Sequence, residues 1–329
     1  MTRPGTVAFT VCTTNHLPQA KALGDSLVAH NPGYRFLVVL LDRHPEVDET
    51  FFRPHRILHA GEMNIPAFPE MDARFTPYEL SCAMKSFAAR RILAVAPDCE
   101  RLFYLDSDMR VVGRLSEAEH ALEGSGILLT PHLVSSAEFE GRCEVERILL
   151  GAGVVNGGFL GLRRTGEAIA FLDWWGDRAR QLMHEGRTRG IALEQMLLNF
   201  APVMFPAATL LRNEGYNVAY WNLGERRISR QGDDYLVNGR HPLVLFHFSG
   251  FDFREGSPLT RFESPFTFEN RPELLPLFED YRRAVLAADP GQLRALPARC
   301  GRPAPVARPS IGQRLDAIVA RVLRAAGRR

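Results

Sequence analysis

A chain of 329 residues, 46% hydrophobic and 24% charged, holds enough apolar material for one large α/β domain or two small ones. Its formal net charge of +2 excludes a strongly basic nucleic-acid binder, and the surplus is local, at Arg321, Arg324, Arg328 and Arg329. Five scattered cysteines without C-x-x-C spacing predict reduced thiols; with no legible signal peptide or membrane span, the expectation is a cytoplasmic protein, soluble or peripheral.

Thr6 to Cys12 reads as a first strand and Thr13-Thr14-Asn15 as the polar turn after it. A helix is predicted from about Pro18 to Ala29, with Leu23, Leu27 and Val28 on one face, stopped by Asn31-Pro32-Gly33. Arg35 to Leu41 is a buried strand ending at Asp42. Thr76, Pro77 and Glu79 form a capping box opening a helix with Leu80, Met84, Phe87 and Ile92 as its apolar stripe; Lys85 and Arg90 fall off that stripe. Arg101 to Leu105 is a central strand that ends at Asp106-Ser107-Asp108.

Ser116 to Glu119 reads as a second capping box opening a short helix. Gly126 to Thr130 and Gly158 to Leu162 are predicted strands, and Glu167 to Met183 a helix with Phe171, Trp174, Trp175 and Leu182 in the core. Glu194 to Phe200 is a shorter helix; Tyr216 to Trp221 and Leu243 to Phe248 are strands. The alternation in the first half predicts βα units and a mainly parallel sheet. From Leu293 the composition turns to Pro, Arg and Ala, which reads as a linker before a basic amphipathic helix from Ile311 to Ala326. Ile311, Leu315, Ile318, Val319, Val322 and Leu323 form its apolar face, the pattern of a helix lying on anionic lipid or binding a partner. The expected boundary places one domain at residues 1–290 and the linker with its helix at 291–329.

The chemistry is carried by Asp106-x-Asp108 at the carboxyl end of an apolar strand. In open α/β sheets ligands bind there. Two carboxylates one residue apart offer hard oxygen ligands for Mg²⁺ or Mn²⁺ that also holds a diphosphate. A solvated Asp-rich turn is the competing reading. His247 follows a second apolar strand and precedes a Gly turn; its imidazole would complete a mixed N/O set that favours Mn²⁺ over Mg²⁺. A buried histidine satisfied by a carbonyl is the alternative.

The ordered set of these motifs, from about Val7 to Asp252, resembles the nucleotide-sugar glycosyltransferases of family 8, which include glycogenin and bacterial lipopolysaccharide galactosyltransferases. It resembles still more a group of bacterial surface-polysaccharide transferases. The resemblance implies a GT-A (Rossmann-like) fold, α/β with a mixed, mainly parallel central sheet flanked by helices. It implies a nucleotide-sugar donor, UDP being usual, a glycan or lipid-linked acceptor, and retention of anomeric configuration.

By the same resemblance Thr13, Thr14 and Asn15 contact the base and ribose, and Lys85, with Tyr78 upstream, contacts the donor. Asp106, Ser107 and Asp108 form the family's D-x-D. Asn156-Gly157-Gly158 is the turn beside the transferred sugar, Glu194-Gln195 the acidic-Gln pair, and His247 with Gly250 the metal-binding H-x-x-G. Two departures stand out: Glu194 replaces the usual Asp, and the Lys-Pro-Trp element expected after Gly250 is missing. Arg254 is the candidate replacement, since a guanidinium binds phosphate bidentately. A turn for Asn156, a helix-terminal charge for Glu194 and a solvated face for Lys85 are the plainer readings. Tyr220, Trp221 and Asn222 are read as packing, with acceptor contact as the alternative.

Three rivals share parts of this pattern. A haloacid-dehalogenase-type phosphatase also uses strand-D-x-D, but normally near the N-terminus and with Thr or Val where Arg110 stands. A sugar nucleotidyltransferase would need a Gly-rich loop in place of Thr13-Thr14-Asn15-His16. A non-catalytic carbohydrate-binding homologue would keep the fold without donor turnover.

Overall fold

The computed structural model describes residues 5–188, 193–232 and 234–303. β1 (Gly5–Cys12), β2 (Arg35–Leu40), β3 (Arg56–His59) and β4 (Cys99–Leu105) pair in parallel, with Phe9 in register with both Leu37 and Tyr104. β6 (Ile127–Pro131) and β8 (Ala208–Leu210) pair in parallel at the far edge. Between the halves, β7 (Val155–Arg163) runs antiparallel to both β4 and β6. The order is β3-β2-β1-β4-β7-β6-β8, so the expected mixed, mainly parallel sheet is borne out.

β4 is apolar throughout its last turns because both its faces are covered. Leu102 and Tyr104 enter the cluster under α3 (Pro77–Val95) and α6 (Gly166–Thr188), whereas Phe103 and Leu105 enter the one under α1 (Leu17–His30) and α4 (Ser116–Glu123). Each such side chain contributes about 1.5–3 kcal/mol by burial. α2 (Phe68–Arg74) precedes α3, whose capping box forms as expected: Thr76 N donates to Glu79 Oε2 and Glu79 N to Thr76 Oγ1. α5 (Arg142–Ala152), α7 (Leu193–Leu197) and α8 (Ala201–Met204) surround the amino end of β7 and the β6–β8 edge.

A small two-stranded sheet stands beside the main one: β5 (Met109–Val111) pairs antiparallel with β12 (Leu245–His247). β9 (Ile228–Gln231), β10 (Asp234–Val237) and β11 (His241–Pro242) form an antiparallel meander, and α9 (Leu275–Ala287) packs Phe278, Tyr281 and Val285 against Phe246 and Phe248.

Four sequence expectations are corrected. α4 starts without a side-chain cap, because buried Leu115 takes the N-cap position and its N–H is met by Asn31 Oδ1 (2.8 Å). The Glu119 carboxylate instead binds Tyr34 and Arg101. Tyr216 to Trp221 is not a strand: Asn217 adopts φ 53°, Val218 makes a single bridge to Phe246, and Tyr220–Asn222 is a 3₁₀ turn. Of the run Leu243–Phe248 only Leu245–His247 is strand.

The segment read as a linker from Leu293 is packed through residue 302. Leu293 and Cys300 are buried, Arg299 N donates to Asp42 Oδ2 (2.9 Å), Gly301 N to Asp72 Oδ1 (2.7 Å) and Arg302 N to Phe75 O (2.7 Å). The expected boundary at 290 therefore does not mark the end of packed structure. The basic helix expected from Ile311 to Ala326 lies outside the described residues. All five cysteines are free, and no helix among the described residues is long and apolar enough to cross a membrane.

Candidate active site

The antiparallel ladder between β4 and β7 ends where Asp106 N donates to Gly158 O (2.8 Å). Met109 N then bonds Asp106 O (3.1 Å), a tight turn that leaves both carboxylates at a cavity on the carboxyl side of the sheet. The β5–β12 pairing sets His247 opposite Met109, and Phe248 N donates to Asp108 O (2.9 Å). Two acids and an imidazole far apart in sequence thus converge. One ligand atom from each of Asp106, Asp108 and His247 lies within 4.8 Å of the others. His247 Nε2 is 3.0 Å from Asp108 Oδ1 and 3.9 Å from Asp106 Oδ2.

The oxygens of Asp106 are divided between two tasks. Oδ1 accepts from Tyr104 Oη (2.5 Å) and pairs with Lys85 Nζ (3.2 Å), which leaves Oδ2 toward the imidazole. Burial works against protonation of His247, but Asp108, and then Asp106, hold it above its ordinary pKa. Burial likewise opposes ionisation of Asp108, yet the imidazole keeps that carboxyl below the usual range. A divalent cation would take the place of that proton between the same oxygens.

The donor set fits such a cation. Two carboxylates and one imidazole suit Mn²⁺ or Mg²⁺ and leave coordination positions for phosphate oxygens. His247 Nδ1 faces Asn217 Oδ1 at 3.3 Å, so Nε2 is the free ligand nitrogen. Asn217, fully buried, donates through Nδ2 to Asn156 Oδ1 (3.0 Å), which also accepts from Gly158 N (2.9 Å). Asn156 Nδ2 donates to Gln195 Oε1 (3.2 Å) and lies 3.1 Å from His132 Nε2. His132 must accept there and stay neutral; burial pushes its pKa down to about 3. Trp221 stands edge-on to both His247 and His132.

Lys85 is also buried, 6% exposed, and therefore not on a solvated face. It lies between Asp106 and Glu194 Oε1 (3.6 Å) and donates to Gly157 O (3.1 Å). Burial disfavours its charge, but Asp106 and Glu194 outweigh that and raise its pKa. Gln195 closes the Asn156 turn, accepting from Gly157 N (2.8 Å) and donating to Ala152 O (2.7 Å).

The cavity has a volume of about 690 Å³, within the range of small-molecule sites. Of the residues expected from sequence, Thr13, Asn15, Tyr78, Lys85, Ser107, Asn156, Glu194, Gln195 and Gly250 line it with the three metal-ligand candidates. Thr14 does not; its N and Oγ1 both donate to buried Asp42 Oδ1 (2.7 and 2.8 Å), so it anchors the turn. Gly157 and Gly158 lie behind the lining. Gly158 is required there, because a Cβ would come within 2.7 Å of both Asn156 Oδ1 and His247 Cε1.

Arg254 is corrected: its side chain is 84% exposed, paired with Asp252 (2.5 Å) and absent from the cavity wall. Asn217, His132, His16 and Arg261 were not singled out from sequence. An Asn interrupting the apolar run from Tyr216 was the one signal for Asn217. Tyr220 and Trp221 line the cavity, whereas Asn222 spends its amide on His132 O and Asn217 O.

No family model matches the chain. It is 22% identical over 275 residues to a Bacillus subtilis protein, the uncharacterized protein YfnF, covering 81% of this chain and 90% of that one. Among solved structures it is similar to the galactosyltransferase LgtC in complex with donor and acceptor sugar analogues, with a TM-score of 0.48 and 14% identity over 86% of this chain and 96% of that chain. Mouse xyloside xylosyltransferase 1 gives 0.44 and 13% over 74% and 97%. A glycosyltransferase involved in glycosylating the major capsid of PBCV-1 gives 0.41 and 11% over 74% and 92%. These neighbours are all glycosyltransferases.

Proposed function

We propose that the protein is a metal-dependent glycosyltransferase that moves a hexose from a nucleotide-sugar, a UDP-sugar foremost, to a hydroxyl of a glycan or lipid-linked saccharide. The observation that carries this reading is the convergence of Asp106, Asp108 and His247 at the mouth of a cavity large enough for a nucleotide-sugar. Asp106 Oδ2, Asp108 and His247 Nε2 would hold Mn²⁺, with Mg²⁺ the alternative. When bound, the cation supplies Lewis-acid stabilisation to the leaving diphosphate.

The chain's own residues then bind and orient. Thr13 and Asn15 face the nucleoside, with Tyr78 at the rim. Glu194, beside Lys85, lies where a buried carboxylate can stabilise positive charge developing at the sugar ring. Asn156 and Gln195 hold the turn against which the sugar rests. In the retaining scheme the acceptor hydroxyl attacks from the face the diphosphate leaves, and the departing phosphate oxygen takes its proton. No enzymic base is then needed. The C-terminal basic segment, the surface-glycan acceptor and a cytoplasmic site on the inner membrane face belong to the same proposal.

A thermal-shift panel of UDP-, GDP- and dTDP-sugars with and without Mn²⁺ tests it; the expected result is stabilisation only when metal and one donor are both present. D106A and D108A are each expected to abolish turnover and the response to metal. Near wild-type activity of either variant in saturating Mn²⁺ would remove the metal site. Proton NMR of the fresh product reads the anomeric outcome, and inversion would bring Glu194 forward as a base.

A further inference from the structure

The charges around the cavity do not balance once a nucleoside diphosphate is admitted. Asp106 and Asp108 compensate a divalent ion, and Lys85 is already committed to Asp106 and Glu194. The negative charge of the diphosphate is left to be met by another cation. Among the described residues lining the cavity, Arg261 is the one permanent cation with no ion pair or side-chain hydrogen bond. Its guanidinium rests over the Phe262 ring (5.2 Å), which is itself stacked on Tyr220 (5.7 Å).

The backbone fixes Arg261 relative to the metal ligand. Arg261 N donates to Gly250 O (3.0 Å) and Thr260 Oγ1 to Ser249 O (2.9 Å). Gly250 has φ 76°, and a Cβ there would sit 2.7 Å from both Phe262 Cδ2 and Thr260 Oγ1. The strand end that presents His247 therefore carries residues 260–262 against itself through a glycine. His16 and Asp108 line the same cavity as Arg261.

We infer that Arg261 is the cation that grips the diphosphate of the donor. This rests on the glycosyltransferase reading and gives it a phosphate-binding residue. A planar guanidinium can bridge two phosphate oxygens where a lysine offers a point charge. Its position past an irregular loop, rather than directly after the H-x-x-G turn, is why Arg254 looks the better candidate in sequence.

The test is titration calorimetry of the full chain in Mn²⁺. The probes are whichever of UDP, GDP and dTDP binds the wild type tightest, and its parent nucleoside. R261A is expected to weaken the diphosphate about 10–100-fold, the cost of charge-assisted bonds, and to leave the nucleoside within about twofold. R261K should recover part of the loss, and R254A should match the wild type. Diphosphate affinity unchanged in R261A overturns the assignment, and so does an equal loss for the nucleoside. A wild-type chain that binds none of the three diphosphates removes the glycosyltransferase reading itself, a result distinct from either.

Discussion

At the scale of single residues, the candidate site depends on side chains that position the proposed metal ligands. Asn217 holds Nδ1 of His247 and so aims Nε2 at the carboxylates. Removing that partner in N217A is expected to lower Mn²⁺ affinity about 10–100-fold, by analogy with other supporting partners of metal ligands. Metal titration of the two proteins checks it, and equal affinities would show that packing against Trp221 alone orients the ring. Lys85 makes a different argument. Its removal in K85M strands the Glu194 carboxylate, 5% exposed, without its cation. A loss of about 3 kcal/mol in urea unfolding is expected, because an uncompensated buried charge is costly. K85M/E194Q should recover much of it; a double variant no more stable than K85M would mean that Asp106, not Glu194, is the partner that matters.

At the scale of elements, the amino end of β7 is the support on which the site rests. Gly158 and Gly157 adjoin in sequence yet differ in what a methyl group would meet. At Gly158 it strikes Asn156 and His247, whereas at Gly157 its nearest neighbour is Leu198 Cδ1 at 3.6 Å. G158A is expected to cost about 1–3 kcal/mol by overpacking and to abolish the Mn²⁺-induced rise in Tm; G157A should be close to neutral in both. The same elements show what was legible in the sequence. β1, β2, β4, α3 and α6 announce themselves by periodicity and caps, because burial on two faces or one writes a repeating pattern. The Asp pair and His247 could be named because each ends an apolar run. Their meeting could not be read, since it is made by β5 and β12, three residues each and too short for a period. Asn217 was hidden inside a run that looks like a strand, and Arg261 in a loop whose geometry is set by a turn at Gly250.

At the scale of the whole molecule, acid should act through His132. Its pKa lies near 3 in the fold, against about 6.5 for an ordinary histidine, because burial excludes the charged form. The unfolded chain therefore binds a proton that the native state refuses between those limits. Stability falls as pH drops from about 6.5 toward 3, by up to about 1.4 kcal/mol per pH unit from this group. H132N should flatten that part of a Tm-against-pH curve; an unchanged slope would assign the acid sensitivity to other groups. The path of residues 297–302 has its own consequence. Asp42 is a clasp with two sides: one oxygen fastens the turn after β1, the other fastens Arg299, and Ala298 in between forms part of the cavity's end wall. Trimming the gene at residue 290, where composition suggests a domain edge, would unbutton that clasp and open this end of the cavity to water. Such a shortened protein should melt several degrees earlier than the full chain in a thermal-shift comparison; an unchanged Tm would show that the clasp adds nothing to stability.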